Sequence, residues 1–307
     1  MSLVVVGSIA FDAVKTPFGE RERMLGGSAV HFSLAASFFT DVRVVGPVGE
    51  DFGDEDLAVL RDRGVNTDDV ERVEGGKTFF WAGEYGWDLN TRETLDTQLG
   101  VFAEFDPKLS AASAESELLF LANIQPDLQR EVREGCRARV AGLDSMNLWI
   151  ETTRDSLVRT IGTVDLVVMN DEELRQLTGQ PNLLRAAREV MGMGPRVVVA
   201  KLGQYGAALY TGQGFFAMPA YPLEDVVDPT GAGDSFAGGF MGYLASQGDD
   251  AFQDDAALRR AMTYGSVLGS FNVEEFGTER VARLTREQID ARYEELRKMT
   301  ALEEIPA

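Results

Sequence analysis

The stretch Asp228-Pro229-Thr230-Gly231-Ala232-Gly233-Asp234-Ser235-Phe236-Ala237-Gly238-Gly239-Phe240 constrains this chain more than any other. Residues 221–227 ahead of it read as a short strand, and the spacing of Phe236, Phe240, Tyr243 and Leu244 behind it is helical. The glycines therefore sit where a helix begins. A first helical turn carries unpaired N–H groups and partial positive charge, and bare glycines let an anion reach them. An anion is expected at 231–234. Asp234 then puts a carboxylate beside a site that repels it, unless that carboxylate takes up a proton during a reaction. The combination points to phosphoryl transfer with Asp234 as base. A glycine-rich turn whose Asp merely favours the helix dipole is the alternative. Gly238, Gly239 and Gly242 each cost a helix about 1 kcal/mol relative to alanine, and close packing on other backbone is the simplest offset.

Residues 228–236 resemble the C-terminal signature of the ribokinase-like (PfkB type) carbohydrate and nucleoside kinases. The resemblance implies an α/β fold: a doubly wound, mostly parallel sheet flanked by helices, with a small β-sheet lid. It implies an ATP-dependent phosphotransferase with Mg²⁺, and in some relatives K⁺, acting on an alcohol group of a sugar or sugar-like acceptor. Nucleosides and inositols are alternative acceptors on the same scaffold. By this resemblance the amides of Ala232, Gly233 and Asp234, opened by Gly231, hold the transferring group, while Asp228 takes a monovalent cation. Asp12, shortly after the first strand, matches the family's acceptor-binding aspartate, with a turn-forming Asp as the alternative. Gly26-Gly27 opens a helix over 28–39 and resembles the N-terminal signature. His31 stands where relatives often carry Asn, so it is a candidate acceptor contact or a half-buried helix residue, and the acceptor need not be ribose. Asn170 and Glu173 match an Asn-x-x-Glu hallmark that places Mg²⁺ through water, although the same pair is a common helix capping box. Lys201, Gly203, Gly206 and Gly277 match nucleotide-binding positions, and the Asp144-Ser145-Met146-Asn147 turn resembles an Asp-x-Asn turn lengthened by one residue.

Composition bounds the rest. The formal charge of −21, from 29 basic and 50 acidic residues, repels nucleic acid and anionic membranes. ATP then needs local reversal of that field by helix N-termini, Mg²⁺ and a few cations such as Lys201. So acidic a surface also suits a salty cytoplasm. Cys136 is the single cysteine, and the N-terminus lacks a basic, cleavable leader pattern, so a reducing cytoplasm is expected.

Along the chain, apolar runs at 3–6, 41–48, 117–122, 141–144, 164–169 and 196–200 read as buried parallel strands, with a hairpin over 207–218. No G-x-G-x-x-G follows the first strand, which argues against a nicotinamide oxidoreductase. Glu50 and Asp51 read as helix-capping acids. The kinase domain is expected over 1–12, 26–76 and 106–307. The lid is expected over 13–25 and 77–105, built from an irregular 13–25, an alternating strand over 77–87 and a second over 101–105. The aromatic face of Phe79, Trp81, Tyr85 and Trp87 is a lid, a homodimer interface or plain packing. A ribokinase-fold ligand sensor without catalysis is the rival from another class.

Overall fold

The computed structural model describes residues 1–301; residues 302–307, the end of the expected kinase domain, lie outside the described residues. In chain order the strands are β1 (Leu3–Val6), β2 (Ala10–Thr16), β3 (Gly19–Gly26), β4 (Val42–Val48), β5 (Asn66–Arg72), β6 (Phe79–Tyr85), β7 (Arg92–Gln98), β8 (Leu118–Leu121), β9 (Val140–Leu143), β10 (Leu166–Asn170), β11 (Val197–Lys201), β12 (Ala207–Thr211) and β13 (Gly214–Met218). The helices are α1 (Ser28–Ala36), α2 (Asp54–Arg61), α3 (Ala111–Ala114), α4 (Pro126–Gly135), α5 (Asn147–Thr152), α6 (Arg154–Ile161), α7 (Asp171–Thr178), α8 (Leu183–Met193), α9 (Ala232–Gln247), α10 (Asp255–Asn272), α11 (Glu279–Ala282) and α12 (Arg286–Thr300).

The large sheet runs β13-β12-β11-β10-β9-β8-β1-β4-β5. It is parallel except for β12 and β13, which add as an antiparallel hairpin. Alternate residues of β1 feed opposite cores. Leu3 and Val5 face the layer of α1, α9, α10 and α12, while Val4 and Val6 face the layer of α4, α6, α7 and α8. Strand order reverses between β1 and β8, which opens a crevice at the carboxyl ends of the strands.

The glycine-rich α9 lies buried against α1 and α10. A Cβ on Gly238 would fall 2.3 Å from the Phe32 carbonyl oxygen, and one on Gly242 2.9 Å from the Ala36 Cα. These glycines let two helix backbones touch, which is the offset expected for their helix penalty.

The second sheet, β3-β2-β6-β7, differs from expectation in four ways. Residues 13–25 are not irregular: they belong to the β2–β3 hairpin, which begins at Ala10 and ends at Gly26. Residues 101–105 form no strand, because Gly100–Glu104 is a 3₁₀ turn that wedges Phe102 between Phe79 and Phe105. The outer strand is instead the polar β7, exposed at every residue. A register shift between Ala82 and Gly83 breaks the alternation of β6, so Tyr85 is buried while Trp87, beyond the strand, is 91% exposed.

Two further differences concern the large sheet. The edge strand β5 has a polar sequence that hid it from a hydrophobicity reading. Residues 221–227 form no strand; the amides of Val227 and Asp228 both donate to the Val273 carbonyl, so the segment is tied to the loop after α10.

Candidate active site

Gly231 caps α9 in the left-handed region, with φ 75°. It is bare for a second reason: a Cβ there would lie 2.4 Å from ring atoms of His31. His31 is 2% exposed and forms one end of a buried chain of hydrogen bonds. Asn272 Nδ2 donates to the Thr230 carbonyl, so its Oδ1 must accept, both from the Ser235 hydroxyl at 2.9 Å and from His31 Nδ1 at 3.0 Å. The ring is therefore the Nδ1–H tautomer, with Nε2 left as an unpartnered acceptor. Burial pulls its pKa down to about 4, so it stays neutral. The expected acceptor contact thus has another occupation, as a wedge under the anion loop.

The three amides expected to hold an anion are not equivalent. Ala232 N–H donates to the Pro229 carbonyl at 3.3 Å. Among the described residues no backbone acceptor outside the helix takes the amides of Gly233 and Asp234, as befits the open first turn of a helix.

Around these amides the carboxyl ends of the strands bring charge together. Lys201 ends β11, and its ammonium lies 3.6 Å from Asp144, just past β9. The same Nζ would be 2.8 Å from a Cβ on Gly233, so the cation stands over the anion loop. Burial opposes its charge, but Asp144, Glu173 and Asp234 hold its pKa above the ordinary lysine value. Burial and the nearby Asp144 push Asp234 well above the usual carboxylate range, with Lys201 opposing. A carboxylate raised in this way holds a proton more tightly than an ordinary one.

Asp12 lies on β2 at 5% exposure, its carboxylate over the bare backbone of Gly26. Burial and Asp228 raise it to about 7. Asp228 is fully buried. Its Oδ1 accepts from Thr230 N–H and its Oδ2 from Gly277 N–H, so it ties the anion loop to the loop after α10. Gly277 is buried, with Met24 and Leu25 of β3 filling the space beside it. Asn170 and Glu173 form a reciprocal capping box on α7, and burial raises Glu173 to about 7 against the pull of Lys201. Gly203 opens the turn after β11. Gly206 closes that turn, where the Met218 carbonyl would sit 2.0 Å from a Cβ and φ is 102°, so packing and backbone conformation both call for glycine. Among the described residues no three His, Cys, Asp or Glu side chains gather as a metal site. Glu173 Oε2, the single carboxylate expected beside Mg²⁺, accepts from Asn170 N–H.

A family model for the pfkB family carbohydrate kinases matches residues 2–283. The chain belongs to this family. It is an ATP-dependent kinase that phosphorylates an alcohol group of a sugar or sugar-like acceptor, and the family generally uses Mg²⁺. It is 29% identical over 253 residues to the cytidine kinase of Thermococcus kodakarensis, covering 79% of this chain and 88% of that one. It is 26% identical over 310 residues to the nucleoside kinase of Methanothermobacter thermautotrophicus, covering 90% and 91%. The structure of Burkholderia thailandensis nucleoside kinase in complex with inosine has the same fold, with a TM-score of 0.78 at 21% identity, covering 95% of this chain and 97% of that one. No helix among the described residues is long and apolar enough to cross a membrane.

Sequence reasoning missed three residues of this pfkB site. Asp144 was seen only as a turn. Asn272 reads in sequence only as the start of the loop 272–278, and its bonds to His31, Ser235 and Thr230 come from the fold. Arg92 begins the unforeseen strand β7, faces Tyr85 across the ladder, and draws down both Asp12 and Glu173. Tyr85 Oη lies 3.2 Å from Thr230 Oγ1, so the small sheet touches the anion loop directly.

Proposed function

We propose that the acceptor is the sugar ring of a nucleoside or similar riboside, held under the small sheet as a lid, with Asp12 taking its hydroxyls. The acceptor hydroxyl attacks the γ-phosphorus of ATP, the bond from that phosphorus to the ADP oxygen breaks, and Asp234 accepts the hydroxyl proton. The amides of Gly233 and Asp234 and the Lys201 ammonium meet the charge on the transferring group. Glu173 is the carboxylate that would hold a Mg²⁺ brought in with the nucleotide, and such an ion would supply neutralisation of phosphate charge. Asn170, Gly203 and Gly206 shape the nucleotide side. K⁺ at Asp228 would have to use lone pairs left over from two amide bonds. The aromatic Trp81, Tyr85 and Phe276 under the lid supply a surface for a base to lie on, and the reported relatives are named for nucleosides.

One observation carries this reading: Asp234 stands in the first turn of α9 beside two free amides and a buried lysine. A panel of cytidine, uridine, adenosine, inosine, ribose, fructose and myo-inositol, assayed for ADP release with Asp234→Asn as blank, tests it. Nucleosides are expected to lead by at least tenfold in kcat/KM; a lead by fructose or inositol refutes the acceptor assignment. Transfer to none of them favours the ligand-sensor rival. We also assign the protein to the cytoplasm, and the exposed β7 to a homodimer clasp, which light scattering of wild type against Leu95→Asp tests.

A further inference from the structure

Asp144, Asn170 and Lys201 stand at the carboxyl ends of three neighbouring strands, β9, β10 and β11, and Lys201 reaches across β10 to meet Asp144. The pair is secluded, with side-chain exposures of 6% for Asp144 and 19% for Lys201. Its 3.6 Å separation is an ion pair without a hydrogen bond, so the three ammonium donors are free to turn elsewhere. Asp144 Oδ1 has no partner at all. A buried carboxylate so poorly satisfied adds little to stability. The other acids near Lys201 are Glu173, whose Oε2 already accepts from Asn170 N–H, and Asp234, the base.

We infer that Asp144 is a positioning residue for the transfer step: it holds the Lys201 ammonium beside Gly233 and keeps it off Asp234. Without Asp144 the strongest attraction left to that ammonium includes the catalytic base itself. A lysine paired to Asp234 would lower the base's affinity for the hydroxyl proton and leave the transferring group without its cation. With Asp144 present the ammonium has a loose anchor that a phosphate can outcompete.

The inference rests on the kinase reading, and its test separates the two. In steady-state assays with MgATP and the acceptor ranked first by the panel above, Asp144→Asn should lower kcat about 10- to 100-fold with the KM for ATP within about threefold. Lys201→Met should lose as much. The double variant should be no worse than Lys201→Met alone, because Asp144 acts through the lysine. Asp144→Glu should restore most of the rate. A readout independent of turnover is labelling of Lys201 by trinitrobenzenesulfonate. MgATP should protect it in wild type, and Asp144→Asn should label faster as loss of the counter-charge favours the free amine. The inference is overturned by unchanged kcat in Asp144→Asn, by an equal loss on the Lys201→Met background, or by no protection of the wild-type lysine. The last needs no variant to fold. A wild type that phosphorylates no acceptor overturns the kinase reading instead, whatever Lys201 does.

Discussion

At the start of α9 the loop is tied down by hydrogen bonds among Thr230, Ser235 and Asn272, whereas the small sheet that faces it across the crevice ends in β7, exposed at all seven residues. The anion loop is held from below by His31, from behind by Asn272 and Ser235, and from the side by Asp228. The small sheet has a minor apolar cluster of Val14, Tyr85 and Phe276, and a polar latch in which Asp51 accepts from both the amide and the hydroxyl of Thr78. That latch corrects the reading of Asp51 as a helix-capping acid. The contrast teaches a division of labour under the proposed function: preorganised amides stabilise charge without reorganising, while the small sheet, proposed as the lid, is left more weakly held.

The sharpest way to break this contrast is at the rigid side. Asp234→Asn should cut turnover by about 10²–10⁴-fold while MgATP still binds, measured by coupled assay and calorimetry. A near-normal rate would move the chemistry away from α9.

Asp12 stands where the two regions meet, and its effect should depend on pH. Its folded value is raised from 3.8 to about 7, so the folded state binds the proton more tightly than the unfolded one. The carboxyl therefore has no effect on stability below pH 3.8 and destabilises progressively up to about pH 7. At about 1.4 kcal/mol per pH unit, Asp12→Asn should stabilise the fold at pH 8 by up to on the order of 4 kcal/mol, and not at pH 3.5, while weakening acceptor binding. Denaturant titrations with equal gains at both pH values would show that burial of charge is not the cause.

Gly238→Ala probes rigidity through packing. The new methyl gains about 1 kcal/mol of helix propensity but meets the Phe32 carbonyl at 2.3 Å, so a net loss of about 1–3 kcal/mol is expected in thermal melts. A gain in stability would mean that α1 and α9 can slide apart freely.

The smallest effect should come from the latch. Thr78→Val removes a hydrogen bond worth about 1 kcal/mol, so the acceptor KM should rise roughly fivefold with the KM for ATP unchanged. Equal rises in both would tie the lid to the nucleotide side as well.

The same division runs through what could be read in advance. The buried parallel strands and α9 were legible because their residues carry a continuous apolar run or a helical period. The small sheet was legible only in part. Its outer strand, Arg92–Gln98, is polar but for Leu95, and the aromatic run at 101–105 that looked like a strand is a 3₁₀ turn whose Phe102 packs inward. Solvated edges leave little mark on a hydrophobicity pattern.

From the chain alone came the helix start, its bare glycines and the acid beside them, since those follow from short-range spacing and backbone freedom. Only the tertiary structure decided which side chains surround that acid. Lys201 meets Asp144 and His31 meets Asn272 across 57 and 241 positions of sequence, and such pairs depend on the order in which strands are laid side by side. Local rules carry no information about that order, because it is selected by the burial of whole faces of the sheet.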